Sequence, residues 1–185
     1  MPCVSDPGAS LVEFCIQNEI AYDVLPGANA ILTAYAMSGF SHTTFSFYGF
    51  LDHKGVSRAS KLNDALNDAK LAILYESPHR LLKLLEELSI KDANRTIFLA
   101  KEISKLHQNS YKDSALNLFE KFKDINIKGE WVVIIEPKET VGFNLDLDDI
   151  LSLDIAPKIK AKLIAKMTGQ SIKEVYQQIL DRIPA

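Results

Sequence analysis

An α/β domain is the fold class this sequence predicts, and three observations predict it. Short apolar runs at Thr43–Phe50, Leu71–Tyr75, Thr96–Ala100 and Trp131–Ile135 have the length and content of strands. Helical stretches separate them. The segments meet at corners built from turn residues, such as Pro26-Gly27 and Ser77-Pro78. Alternation of this kind lays helices against a sheet.

Taken in order, Met1-Pro2-Cys3-Val4-Ser5-Asp6-Pro7-Gly8 reads as a turn-rich loop feeding a helix, with Asp6 as N-cap and Pro7 in the first turn. Leu11, Val12, Phe14, Cys15 and Ile16 give that helix a broad apolar face. A proline–glycine loop of this type usually hangs from a strand, so the chain reads as beginning mid-domain. Ala21–Leu25 is a strand candidate closed by Pro26-Gly27. Ala28–Ser38 reads as a helix of small residues, with Gly39 as its C-cap.

The aromatic strand Thr43–Phe50 comes next, then a loop with Lys54 and Gly55 and a helix over Arg58–Ala69. Leu71–Tyr75 ends at Glu76. Ser77 then offers a hydroxyl N-cap and Pro78 a first-turn proline for the helix Pro78–Leu88. Such corners at the carboxyl ends of strands are where α/β proteins bind ligands. Thr96–Ala100 ends in Lys101-Glu102, Ser114 caps a helix over Ala115–Phe122, and Gly129-Glu130 opens Trp131–Ile135. Pro137–Leu145 reads as a linker. Beyond it, helices over Pro157–Met167 and Ser171–Ile183 join at Thr168-Gly169-Gln170, with Ser171 and Glu174 at capping-box spacing. Leu163, Ile164 and Met167 are expected to face Val175, Ile179 and Leu180.

Composition narrows the function classes. The 185 residues are 47% apolar and 24% charged, with a net charge of -3, which suits a soluble globular protein. No apolar run approaches the roughly 20 residues of a membrane span. Cys3 and Cys15 fall in no metal-binding spacing, and a cytoplasmic protein with reduced thiols is the simplest reading. No P-loop, dinucleotide fingerprint, zinc spacing or nucleophile elbow is present. The charge is uneven: Asp146, Asp148, Asp149 and Asp154 precede a tail carrying Lys158, Lys160, Lys162, Lys166, Lys173 and Arg182.

The order of the corners is more telling than any one of them. Ser5-Asp6-Pro7-Gly8-Ala9-Ser10, Leu25-Pro26-Gly27-Ala28-Asn29-Ala30, Phe47-Tyr48-Gly49-Phe50-Leu51 and Tyr75-Glu76-Ser77-Pro78-His79-Arg80-Leu81 resemble successive blocks of one family. It is the bacterial methyltransferase family that methylates the 2′-hydroxyl of a cytidine in 16S ribosomal RNA, within the tetrapyrrole methylase superfamily. Lys101-Glu102 and Lys128-Gly129-Glu130 match two shorter blocks. The resemblance runs through the whole chain. The family's first strands and glycine-rich cofactor loop have no counterpart, and Gln108 stands where a glutamate is expected.

The resemblance implies a mixed sheet of the tetrapyrrole-methylase type, S-adenosylmethionine as cofactor, no metal, 16S rRNA of the small ribosomal subunit as partner, and a homodimer. Residues 1–40 would be the remnant of the cofactor-binding domain, 41–137 the second αβ domain, and 138–185 a linker with a basic helical hairpin. The cofactor would touch Pro26, Gly27, Ala28, Ala30, Tyr75, Glu76 and Ser77.

A ribose hydroxyl gains from a base within reach. Glu76 and Glu102, at strand ends, are the candidates, with His79 weaker. Arg80 and Lys101 could hold RNA phosphates or pair with those same carboxylates. Lys158, Lys160, Lys162 and Lys166 could contact RNA or form a solvated helix face. Two rivals stand beside this reading: a non-catalytic RNA-binding or dimerisation fragment, and a sister methylase acting on a tetrapyrrole.

Overall fold

The computed structural model describes residues 1–138 and 147–181, the side chains of Leu180 and Asp181 excepted. The chain divides into two compact units, Met1–Glu139 and Thr140–Ala185.

The first unit is built on a five-stranded mixed sheet. Its strands are β1 (Phe45–Phe50), β2 (Leu71–Glu76), β3 (Thr96–Lys101), β4 (Asn109–Ser114) and β5 (Trp131–Ile135), in the order β1-β2-β5-β3-β4. The β1–β2 pair is parallel and the others are antiparallel. The helices are α1 (Ala9–Gln17), α2 (Ala30–Ser38), α3 (Val56–Asn67), α4 (Pro78–Lys91) and α5 (Ala115–Phe122).

Alternation sorts the central strands between two cores. Leu74, Ile97, Leu99, Val133 and Trp131 join α3, α4 and α5 on one face. Leu71, Ile73, Phe98 and Ile134 meet Ile31 and Ala34 of α2 on the other. β2 and β5 are apolar almost throughout because both of their faces are covered.

Several expectations are corrected here. Ala21–Leu25 forms no strand: Tyr22, Val24 and Leu25 are exposed coil, and an apolar run becomes a strand only where a neighbour offers a ladder. α1 begins after Gly8 rather than Asp6, with no side-chain cap. Its apolar face exists but buries nothing fully, and Leu11, Phe14 and Ile16 stay exposed. α2 starts at Ala30, because the Asn29 side chain accepts hydrogen bonds from the Ile31 and Leu32 N–H groups. Ser77 holds the N-cap position of α4 without a side-chain cap bond.

β4 was hidden by its composition. Asn109-Ser-Tyr-Lys-Asp-Ser is polar because it is an edge strand, registered on β3 from Thr96↔Ser114 to Lys101↔Asn109. Its Tyr111 packs edge-on against Phe122, with ring centroids 4.9 Å apart.

The second unit contains α6 (Leu147–Ser152), α7 (Pro157–Thr168) and α8 (Ile172–Asp181). α6 falls in the acidic stretch where no helix was expected. Gly169 closes α7 in the left-handed conformation, and the Glu174 N–H donates to the Ser171 hydroxyl as the capping spacing predicts. The core is Ile150, Ala161, Ile164, Ala165, Val175 and Ile179. Leu163 and Met167 are exposed instead of facing α8; the alanines at 161 and 165 let the helices approach on the other side. The Leu180 side chain and most of the expected linker lie outside the described residues.

Candidate active site

A cleft of about 460 Å³ opens in the first unit where β1 and β2 end and β5 begins. Phe50, Tyr75, Glu76 and Ser77 come from the strand ends, Trp131 and Val132 from β5, and Ala30 from the first turn of α2. Val4, Ser5 and Asp6 reach it from the N-terminal loop, where Cys3 and Ser5 both take left-handed backbone angles (φ 66° and 56°). Non-glycine residues adopt that conformation at a cost of about 1–3 kcal/mol each. Gly49, at φ 63° beside the bulge in β1, leaves room for Ser5: a Cβ there would lie 3.4 Å from the Ser5 hydroxyl.

Tyr75 forms the aromatic wall, with ring centroids 5.1 Å from Phe47 and 5.5 Å from Phe50. Burial, then the nearby carboxylates of Asp6 and Glu130, push its phenol pKa up. Among the described residues, the lining carries three carboxylates (Asp6, Glu76 and Glu130) and no lysine, arginine or histidine.

Glu76 is not free to act as a base. Its side chain is fully buried, and Oε1 lies 2.8 Å from Arg80 and accepts the Ser77 N–H at 2.8 Å. Oε2 accepts no hydrogen bond and faces Arg58 at 3.8 Å. Arg58 and Arg80 in turn donate to the carbonyls of Asp52 and Leu51. Glu76 therefore ties the loop after β1 to the β2–α4 corner. The same bonds consume Arg80, which also reaches the Ser77 hydroxyl, so it is not available for an RNA phosphate.

Glu102 is a second organiser. Its backbone stands at φ 48°, its N–H donates to the Glu130 carbonyl, and its Oε1 accepts the Glu130 N–H at 2.7 Å. Lys105 bridges Glu102 and Glu130 at 3.1 and 2.9 Å. The Glu130 N–H first, then Lys105, holds the Glu102 carboxyl below its usual range. Gly129 makes this crossing possible: at φ 113°, a Cβ would sit 2.8 Å from Glu102 Cγ. The two short motif blocks thus form one latch that presents Glu130 to the cleft. Glu102 itself does not line it.

Of the residues expected at a cofactor, the cleft gathers Ala30, Tyr75, Glu76 and Ser77. Pro26, Gly27 and Ala28 are exposed and lie outside it. His79 is exposed on α4, also outside. Asp6 and Glu130 were passed over as site residues, although both sit in motif blocks that mark this family. Lys101 donates to the Asn126 carbonyl at 3.3 Å beside the Trp131 ring. In the second unit Lys160 donates to the Leu151 carbonyl at 2.6 Å and serves α6, whereas Lys158, Lys162 and Lys166 stand exposed along one side of α7. Among the described residues, no group of three or more His, Cys, Asp or Glu side chains could hold a metal. No described helix is long and apolar enough to cross a membrane.

Comparison with known proteins follows the same lines. Residues 1–118 match the model of the Tetrapyrrole (Corrin/Porphyrin) Methylases. The chain is 44% identical over 181 residues to the ribosomal RNA small subunit methyltransferase I of Campylobacter fetus subsp. fetus. It belongs to that methyltransferase family. The match covers 97% of this chain and 67% of the relative; the Helicobacter pylori enzyme of the same name is 41% identical, with 97% and 65% covered. The chain thus spans about two thirds of the length of these curated relatives.

Among solved structures, the cobalamin biosynthetic enzyme cobalt precorrin-4 methyltransferase CbiF aligns with a TM-score of 0.54 at 12% identity, over 69% of this chain and 56% of that one. The methyltransferase CobJ aligns with 0.52 at 21% identity, over 74% and 61%. These likenesses establish the tetrapyrrole-methylase fold. The family read from the motif blocks is therefore borne out.

Proposed function

We propose that the methyltransferase carries a methyl group from S-adenosylmethionine to the ribose 2′-hydroxyl of a cytidine in the 16S rRNA of the small ribosomal subunit, and that it works as a cytoplasmic homodimer. Family membership supports the reaction class. The observation that carries the reading for this chain is the cleft, whose ionic side chains are all acidic and whose wall is aromatic.

S-adenosylmethionine is cationic at its sulfonium and amino groups and flat at its adenine. Asp6 and Glu130, the Tyr75 ring and the small side chain of Ala30 suit those features, Glu76 being buried in its arginine pairs, and the volume falls in the usual range for ligand pockets. When bound, the cofactor supplies an activated methyl group. The chain's own residues do the rest. The Phe50–Tyr75 wall gives the cofactor an aromatic surface, the Glu102 latch holds Glu130 in place, and Glu130 with Asp6 sets the field. Asp6 is the carboxylate assigned to take the hydroxyl proton, since its one ion-pair partner among the described residues is the Met1 amino group at 3.3 Å, a looser hold than two arginines give Glu76 or Lys105 gives Glu130.

Calorimetric titration with S-adenosylhomocysteine tests the reading. Saturable binding, lost in Ala30→Trp, is expected; a folded chain that gives no saturable heat overturns it. Transfer of labelled methyl groups to small ribosomal subunits then tests the substrate. Asp6→Asn is expected to lower turnover by about 100-fold or more, well beyond any loss of S-adenosylhomocysteine affinity.

A further inference from the structure

A second cleft, of about 570 Å³, lies beyond the latch and has the opposite character. Lys101, Lys128 and His107 line it, and its one carboxylate, Glu102, is turned to the Glu130 N–H and Lys105. The side chains of Lys128 and His107 enter no ion pair among the described residues.

The amides around it are polarised the same way. Gln108 Oε1 accepts the Ser104 N–H at 2.6 Å, Asn109 Oδ1 the Ser110 N–H at 2.8 Å, and Asn126 Oδ1 the Lys128 N–H at 3.1 Å. All three acceptor oxygens are thereby used within the chain, which also fixes which amide atom is oxygen and which nitrogen. The NH₂ groups remain as donors; that of Asn109 reaches the Tyr111 hydroxyl, and those of Gln108 and Asn126 have no partner among the described residues. Basic side chains and unengaged amide donors, set against one carboxylate already tied to the Glu130 N–H and Lys105, form a site for an anion.

We infer that this second cleft holds a backbone phosphodiester of the substrate RNA, with Lys128, His107 and the Gln108 and Asn126 amides as the binding groups and Lys101 as their fixed charge. The inference rests on the methyl-transfer reading given above. Its physical basis is the contrast between neighbouring clefts. The first offers a phosphate carboxylates and no basic side chain among its described lining residues, yet a ribose presented there brings flanking phosphates with it. The second is separated from it by the latch of Glu102, Gly129 and Glu130, and Trp131 both lines the first cleft and lies 5.6 Å below the Lys101 ammonium. One strand crossing the latch meets an acidic cleft at its ribose and a basic one at its phosphate.

The test is the salt dependence of binding of a short fluorescent single-stranded RNA to the chain, wild type against Lys128→Ala, His107→Ala and Asn126→Ala. Lys128→Ala should weaken binding several-fold and lower the slope of log K against log salt by about 0.7, the value for one single-strand phosphate. A probe of the same sequence with an uncharged methylphosphonate backbone should not respond to these substitutions. S-adenosylhomocysteine affinity, measured on the same variants, should be unchanged, which also shows that they fold.

Wild-type slope and affinity retained in all three variants would overturn the phosphate site while leaving the methyl-transfer reading intact. So would slope loss confined to Lys158→Ala or Lys162→Ala. Failure of the wild type to bind S-adenosylhomocysteine would overturn the underlying reading instead, whatever the RNA result.

Discussion

Glu76 and Glu102 both end strands, and in both the carboxylate organises the protein around it. Glu76 sits fully buried between two guanidiniums. Removing one partner of a buried ion pair costs about 3–5 kcal/mol, because the other charges are left unpaired. Glu76→Gln should therefore lower unfolding stability by about 3 kcal/mol, toward the lower end since Arg58 keeps Glu87 at 2.7 Å; urea denaturation measures it. Gly129→Ala is expected to act at a distance from the core. Its Cβ would displace Glu102 and so Glu130, weakening S-adenosylhomocysteine binding by roughly tenfold, about 1.4 kcal/mol, while the melting temperature falls by only a few degrees. A calorimetric titration beside a thermal melt separates the two effects.

At the scale of elements, α2 is fixed at both ends, by its own cap at the first and by the sheet at the last. Asn29 caps its first turn, and Lys112 of β4 donates to the Ser38 carbonyl at 3.0 Å near its last. Asn29→Ala should cost about 1 kcal/mol. The bulged end of β1 is anchored by Tyr48, whose hydroxyl donates to Asp68 at 2.8 Å. Burial, then that hydrogen bond and the charge of Asp68, push the Tyr48 pKa up to about 12. Burial alone would raise Asp68, but hydrogen bonds from Ser46, the Lys70 N–H and Tyr48 outweigh it and lower its pKa.

The signs follow by linkage. A tyrosine raised from about 10 contributes fully below pH 10, and its contribution is lost as pH climbs toward 12. The Asp68 contribution is present above its ordinary range and is lost as pH falls through its lowered value. Urea midpoints compared at pH 8 and pH 11 should drop in the wild type, and drop less in Tyr48→Phe.

For the whole molecule, each unit carries its own apolar core, and the first contains both clefts. A chain ended at Glu139 should bind S-adenosylhomocysteine with the affinity of the longer one. If Lys158, Lys162 and Lys166 touch RNA, the shorter chain should also show a smaller salt slope, by about 0.7 per lost phosphate contact. An unchanged slope would make the exposed side of α7 a solvated face.

What the residues determined by themselves was local and periodic. Leu71–Tyr75, Ala115–Phe122 and Trp131–Ile135 were legible because buried strands and amphipathic helices write their environment into their composition. Gly39 and Gly169 marked helix ends because left-handed angles favour glycine. The motif blocks pointed to the family, since short runs of residues can be matched in order without knowing their contacts.

Only the tertiary structure decided roles. Ala21–Leu25 has strand-like residues but no neighbour to pair with, while polar Asn109–Ser114 has β3 beside it and is a strand. Glu76 looked like a base until two arginines met it, and Lys160 like an RNA contact until it met a helix end. Asp6 and Glu130 face one cleft, and Lys128 and His107 another, across a latch joining residues 102 and 130. Pairing, desolvation and charge partners depend on distances between residues far apart in the chain, and periodicity does not carry those distances.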